Sequence, residues 1–404
     1  MENIDYNMVS KEKIKSCAEN IVNFINIQKE GEKVLVKGGL YSHELLEEIA
    51  LNVFRKGGIP EIVCYSDYFY ETLYQDATIK TSTLEITPTH YLKLVEAMDA
   101  YIVIEPYENP GVLNKTSREK LSAKIKRETP LRNVIYGATK EYAPGKKWCY
   151  AGWPSEKASS YYKIPYHLLE QFIVGGMSIP QKKMEGFTIK LGKNFENVNK
   201  VYVTDENGTD FWVSIKNRPI ILDNGIITDK RISMGLLGGN LPAGEIFVPP
   251  NEKLGEGVLF CPLTRDRLSN KIIKNVTLTF KEGKLLIDKV SADENLEDLV
   301  NTFKQNEEID KTNKEVKELR TYNVAELGIG CNPEITKAIG YILTDEKIDG
   351  SVHVAFGLNK MMGGTSVSQI HWDFVTAPKA NITVEYEDGN RKLIMERGKR
   401  LDQA

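Results

Sequence analysis

The chain has 404 residues and a formal net charge of −3, long enough for two domains with separate cores and without the basic excess that tracks a nucleic-acid backbone. No apolar run approaches the roughly 18 to 20 residues that span a bilayer, and the polar stretch from Met1 to Asn20 does not read as a secretory signal. The five cysteines, Cys17, Cys64, Cys149, Cys261 and Cys331, are dispersed and never form a Cys-x-x-Cys pair, so a cytoplasmic protein with reduced thiols is expected.

In chain order, Val34-Leu-Val36 predicts a strand, Lys37-Gly-Gly39 a turn, and Ser42 opens an amphipathic helix to about Arg55. After the Gly57-Gly58-Ile-Pro60 turn, Glu61-Ile-Val-Cys64 predicts the next strand, which completes a βαβ unit with parallel pairing. Lys37-Gly-Gly39 lacks the Gly-x-Gly-x-x-Gly spacing of a phosphate loop and reads as a tight strand-to-helix turn. His43-Glu44-Leu-Leu-Glu47 lacks the second histidine of a His-Glu-x-x-His zinc motif, and its acids suit a helix N-terminus. Ala100 to Glu105 and Asn133-Val-Ile-Tyr136 read as further buried strands. His90 and His167 are isolated. The helical pattern ends at Ile179-Pro180, and the expected division is an N-terminal α/β parallel-sheet domain over 1–187 and a strand-rich α+β domain over 188–404.

Beyond that boundary come short strand-like segments, Val201-Tyr-Val203, Phe211-Trp-Val213 and Ile220-Ile-Leu222, with a turn at Asp205-Glu-Asn-Gly208. Leu296, Leu299, Val300 and Phe303 recur at helical spacing within Glu294 to Leu319, and the charges there read as a solvated face. Thr383 to Tyr386, an Asp388-Gly-Asn turn and Lys392 to Met395 predict a hairpin.

Two C-terminal segments carry candidate chemistry: Ser351-Val-His353-Val-Ala-Phe-Gly357 and Gln369-Ile-His371-Trp-Asp373-Phe-Val375. Side chains alternate along a strand, so His371 and Asp373 share one face while Trp372 and Phe374 pack on the other, and His353 is likewise flanked by Val352 and Val354. Imidazole and carboxylate on neighbouring strands suit zinc, cobalt, manganese or ferrous iron; a buried His-x-Asp hydrogen bond without metal is the alternative. Glu245, in Asn240-Leu-Pro-Ala-Gly-Glu-Ile-Phe-Val-Pro-Pro250, and Glu326, in Val324-Ala-Glu-Leu-Gly-Ile-Gly-Cys-Asn-Pro333, lie among apolar residues and glycines. Such carboxylates are costly to bury unmet: the partner is a metal, or each caps a turn or pairs with an arginine such as Arg320 or Arg231.

These segments, in this order, resemble the metal-binding segments of the thermophilic metalloprotease family, the aminopeptidases of the T and S types, and the resemblance extends over essentially the whole chain. It implies two divalent ions (zinc, cobalt or manganese) held by Glu245, Glu326, His353, His371 and Asp373, with Glu326 also the catalytic general base. It further implies a homodimer that removes N-terminal residues from short peptides. One position departs: the family's catalytic tyrosine, seven residues after the first metal-binding histidine, is replaced by Lys360, expected to stabilise the oxyanion in its stead. The interval between His353 and His371 is also shortened. Three carboxylates, two divalent ions and a bridging hydroxide sum to zero charge, which favours two metals over one. A second reading follows from a related family, the 2,5-dihydroxypyridine dioxygenases: there His353, His371 and Asp373 would hold ferrous iron as a facial triad, with Lys360 or Glu326 serving substrate. A third is a metal-stabilised protein with no activity.

Overall fold

The computed structural model describes residues 9–401. Its first unit comprises the chain up to Gln181 together with Gly225–Pro242, and the second comprises Lys182–Asn224 with the chain from Ala243 onward. The expected boundary at 187/188 falls within the helix Gln181–Lys193.

In the first unit β1 (Lys33–Gly39), β2 (Ile59–Tyr65), β3 (Ala100–Ile104) and β4 (Lys147–Ala151) are joined by β8 (Gly238–Leu241), a strand supplied from later in the chain. The order is β2-β1-β3-β4-β8 and every neighbouring pair is parallel. Val34, Leu35 and Val36 are all buried, as a strand covered on both faces requires. The helix Lys11–Ile25 is capped by Ser10, whose side chain accepts from the Lys13 N–H, and it buries Ile14, Cys17, Ala18, Ile21, Val22, Phe24 and Ile25 along one stripe. A Cβ at Gly38 would lie 2.8 Å from Leu46 Cδ2, and one at Gly39 would lie 2.9 Å from the Pro106 carbonyl. The glycine pair therefore answers a packing demand at the strand-to-helix turn.

Asn133–Tyr136 is not a strand. It is the last turn of the helix Arg118–Tyr136, which stops at Gly137 in the left-handed region. Val134 and Ile135 pack with Leu35, Val95 and Met98; a four-residue apolar run carries too little periodicity to separate a buried helix turn from a buried strand. The strand expected there is β4 instead.

The second unit is antiparallel. An eight-stranded sheet runs through β5 (Val198–Thr204), β6 (Asp210–Ser214), β10 (Gly255–Arg265), β11 (Ile272–Lys281), β12 (Lys284–Leu285), β16 (Asn381–Tyr386), β17 (Arg391–Glu396) and β18 (Lys399–Arg400). Its spatial order is β12-β11-β10-β6-β5-β16-β17-β18, and β16–β17 is the expected hairpin. The Asp205–Gly208 turn is fixed by Asp205, which accepts from the N–H groups of Asn207 and Thr209 at 2.8 and 3.0 Å. A five-stranded sheet is formed by β7 (Ile221–Asp223), β9 (Glu245–Val248), β13 (Val324–Gly330), β14 (Val352–Gly357) and β15 (His371–Val375), in the order β15-β14-β13-β9-β7.

Register decides what each face of this second sheet carries. Leu327 pairs with Val354 and Val248, Ile329 with Val352 and Ile246, and Phe356 with Trp372, so one face is apolar throughout. Phe356 of this face lies 6.1 Å from Phe280 of the eight-stranded sheet, ring to ring and edge-on. The helix Leu296–Thr312 buries Leu299 and Phe303, and the Phe303 ring stacks on Trp372 and Tyr322, both at 5.6 Å. Among the described residues no helix is long and apolar enough to cross a membrane, and all five cysteines are free thiols.

Phe303→Ala is expected to lower stability by about 3–5 kcal/mol through loss of this stack and the cavity left behind. Ile309→Ala, on the exposed side of the same helix, should stay within about 0.5 kcal/mol. Urea unfolding of the two variants checks both values.

Candidate metal centre

The opposite face of the five-stranded sheet gathers the polar groups. Across neighbouring strands Asp223 pairs with Glu245, Glu245 with Gly330, Gly328 with His353, Glu326 with Ala355, and Ala355 with Asp373. With side chains alternating, Asp223, Glu245, Glu326, His353, His371 and Asp373 all project to this side, and Gly328, Gly330, Ala355 and Gly357 share it. The small residues make room: a Cβ at Gly328 would run into the His353 imidazole. Gly244, just before Glu245, has φ +125° and no space for a Cβ between Asn332 and Met184. Only glycine sets Glu245 at that point of the chain.

Glu326 stands at the middle. Its Oε1 lies 3.4 Å from His353 Nε2 and its Oε2 lies 3.3 Å from His371 Nε2. His353 Nε2 is also 3.4 Å from Glu245 Oε2, and His371 Nε2 is 3.4 Å from Asp373 Oδ1. Two groups result, Glu245–Glu326–His353 and Glu326–His371–Asp373, each able to hold a metal ion. Donors around a tetrahedral ion with bonds of about 2.0–2.1 Å stand about 3.3–3.4 Å apart, so the spacing fits. The orphaned atoms fit as well. Glu245 Oε2 and Asp373 Oδ1 are buried without a hydrogen-bond partner, a costly arrangement unless a cation meets them. His371 Nδ1 lies 2.8 Å from the Leu358 carbonyl. Donating there fixes the ring and leaves Nε2 for the centre.

Burial works against the imidazolium of His353, but Glu326, Glu245 and Asp373 outweigh it and lift this ring to about 9. His371 is likewise held well above its ordinary value by Asp373 and Glu326 against its burial. Burial pushes the Glu245 carboxyl up to about 8 against the pull of Lys347. At Glu326 and Asp373 burial also opposes ionisation, yet the two histidines hold both carboxyls below their ordinary range. Without metal, protons on the rings take the place of cations.

Lys360 belongs to neither group. It opens the short 3-10 turn Lys360–Met362 with its side chain exposed. The loop around it is pinned by two buried carboxylates. Glu252 Oε1 accepts from Asn359 Nδ2 at 3.1 Å and from the Thr365 N–H at 2.6 Å, while Glu252 Oε2 lies 2.5 Å from Arg218 Nη2. Asp310 accepts from Ser368 Oγ at 2.5 Å and from the Gln369 N–H at 2.8 Å, which fixes the approach to His371. The arginines weighed as partners of Glu245 and Glu326 serve elsewhere: Arg231 donates to the Gly238 carbonyl and Arg320 pairs with Glu318.

Four residues of the centre escape the sequence reading. Lys347 Nζ lies 2.5 Å from Glu245 Oε1, 2.8 Å from Glu346 Oε1 and 3.6 Å from Asp223 Oδ2. Arg267 Nη2 is 3.9 Å from Asp373 Oδ2. Asp345-Glu346-Lys347 looks like an ordinary surface charge run, and nothing local marks it as buried. With Asp223, Glu346, Lys347 and Arg267 included, five carboxylates and two cationic side chains carry three negative charges beside neutral imidazoles. Two divalent ions with a hydroxide would balance that sum.

A histidine raised in the folded state stabilises the fold below its ordinary value, about 6.5, and this contribution is lost as pH climbs through the folded value, about 9 for His353. The raised Glu245 acts in the same direction between 4.5 and about 8. The metal-stripped protein should therefore lose stability from pH 6.5 to 9. Glu326→Gln lowers both ring values and should make that loss smaller; thermal melts in chelator across this range check it.

No curated protein matches the sequence. The fold is similar to that of wild-type AmpT from Thermus thermophilus, with a TM-score of 0.72 at 15% identity over 97% of this chain and 99% of that one. It is also similar to 2,5-dihydroxypyridine dioxygenase from Pseudomonas putida, with a TM-score of 0.57 at 15% identity over 97% and 98% of the two chains. The family model for thermophilic metalloproteases matches residues 10–399, and the chain belongs to that family.

Proposed function

We propose that this protein is an aminopeptidase that removes N-terminal residues from short peptides at a centre of two divalent ions, zinc, cobalt or manganese. Glu245, Glu326 and His353 would hold one ion, and Glu326, His371 and Asp373 the other. The shared carboxylate of Glu326 carries this assignment, with one oxygen facing each imidazole at 3.4 and 3.3 Å. Divalent ions held there would supply a water acidified to a pKa of about 7 and a Lewis acid for the peptide carbonyl.

The remaining work falls to side chains. With both oxygens of Glu326 turned to ring nitrogens, its expected role as general base competes with its role as a bridging ligand. Glu346, 13% exposed, is engaged by Lys347 Nζ at 2.8 Å, so Glu326 keeps its proposed part: it would take a proton at its carboxylate and return it to the leaving amine. Lys360 keeps its proposed part in oxyanion stabilisation from an exposed turn. Arg267, half exposed and 3.9 Å from Asp373, is the better placed cation of the two.

The metalloprotease family and the pairing of sites through Glu326 support hydrolysis over iron-dependent ring cleavage, since His353 falls in one group and His371 with Asp373 in the other. A cytoplasmic homodimer completes the proposal, with the free thiols in keeping with the compartment. Leucine p-nitroanilide should be hydrolysed by protein loaded with zinc, cobalt or manganese. Glu326→Ala should cut kcat by roughly 100-fold or more with an unchanged circular dichroism spectrum. No turnover with any of the three metals would overturn the peptidase, and oxygen uptake with a dihydroxylated N-heterocycle would put the dioxygenase in its place. Light scattering decides the dimer.

A further inference from the structure

Lys347 follows the short helix Ile342–Asp345, and its side chain is only 2% exposed. An ammonium has three protons to donate and no acceptor, and here three carboxylates surround it: Glu245 at 2.5 Å, Glu346 at 2.8 Å and Asp223 at 3.6 Å. Glu245 is thereby divided. Its Oε1 belongs to Lys347, while its Oε2 faces His353 with no hydrogen-bond partner. An ion at the Glu245–Glu326–His353 group would share one carboxylate with a buried positive charge. The Glu326–His371–Asp373 group has a different neighbour. Its nearby cation, Arg267, is half exposed and 3.9 Å from Asp373 Oδ2, so water screens it. His371 is also 25% exposed, which leaves this group open to an incoming ion.

We propose that Lys347 is a positioning residue that acts as a resident cation and makes the two metal positions unequal. The Glu326–His371–Asp373 position fills first and tightly, and the Glu245–Glu326–His353 position fills second and weakly. The proposal rests on the dinuclear reading given above. Its consequence is regulation by metal supply: at limiting metal the protein carries one ion, and the two-ion form appears only as the free ion concentration rises. Lys347 exerts this effect through Glu245, by repelling the ion that this carboxylate would bind and by holding one of its oxygens. Three carboxylates within 3.6 Å of Nζ, the nearest at 2.5 Å, favour the charged ammonium.

The test is calorimetric titration of metal-stripped, full-length protein with Zn²⁺, repeated with Co²⁺ and read from its visible absorption bands. Wild type should show two events separated by a factor of about 100 or more. Lys347→Met should tighten the weak event by about tenfold or more and leave the tight one in place, and Lys347→Arg should restore the wild-type separation. His353→Ala should erase the weak event alone. One ion in wild type and two in Lys347→Met would also support the proposal. Two equal events in wild type, or a separation unchanged by Lys347→Met, would overturn it while leaving the dinuclear reading intact. A single ion in wild type and in every Lys347 variant would overturn the dinuclear reading itself. Should Lys347→Met fail to fold, the wild-type titration and the His353→Ala titration decide the question, since equal sites, or loss of the tight event in the latter, sink the proposal.

Discussion

A carboxylate caught between two imidazoles, one of them fully buried, needs positive charge and rigid walls, and the second unit is organised around meeting that need at Glu326. The five-stranded sheet does so by alternation. One face is committed to packing, with Phe356, Trp372 and Phe374 against the aromatic rings of Phe280 and Phe303, and this fixes the register. A slip by one residue would exchange Trp372 for His371 and bury the wrong set. The other face is kept low by Gly328, Gly330, Ala355 and Gly357, residues that weaken a strand on their own account. The aromatic face offsets that weakness. Precision at the centre is thus a consequence of apolar packing on the side away from it.

Support around the ligands follows the same logic. His371 is oriented by the Leu358 carbonyl, and the segment leading to it is tied down at Ser368 and Gln369 by Asp310. Glu252 fastens the preceding loop at Asn359 and Thr365. These are buried carboxylates whose hydrogen bonds are satisfied by the chain itself, in contrast with Glu245 and Asp373, each of which keeps an oxygen without a partner. That contrast separates structural acids from those available to a cation.

Much of this was legible in the sequence where a periodic pattern carried it. The two-residue alternation about His353 and His371 gave their strands and their shared face. The setting of Glu245 and Glu326 among glycines and apolar residues gave their burial. What escaped depended on contacts between distant segments. Lys347 and Glu346 sit in a charged run with the texture of an exposed turn, and the partners that meet the buried Lys347, Glu245 and Asp223, lie far away in sequence. Asn133 to Tyr136 misled for the opposite reason, since local apolarity was real but its context was a helix. β8 was invisible because its Gly-Gly-Asn-Leu sequence has almost no strand signature.

That strand also bears on how the protein can be handled. Gly238–Leu241 completes the parallel sheet beside β4, yet it is reached only after the chain has already built three strands of the second unit, so the backbone passes between the units at 181/182, 224/225 and 242/243. A fragment cut at the end of the α/β half would leave the β4 edge bare, with unpaired backbone groups ready to recruit another chain. Separating the halves for expression therefore requires carrying residues 225–242 along, for example by a circular permutation or a grafted edge strand; a single cleavage point does not exist.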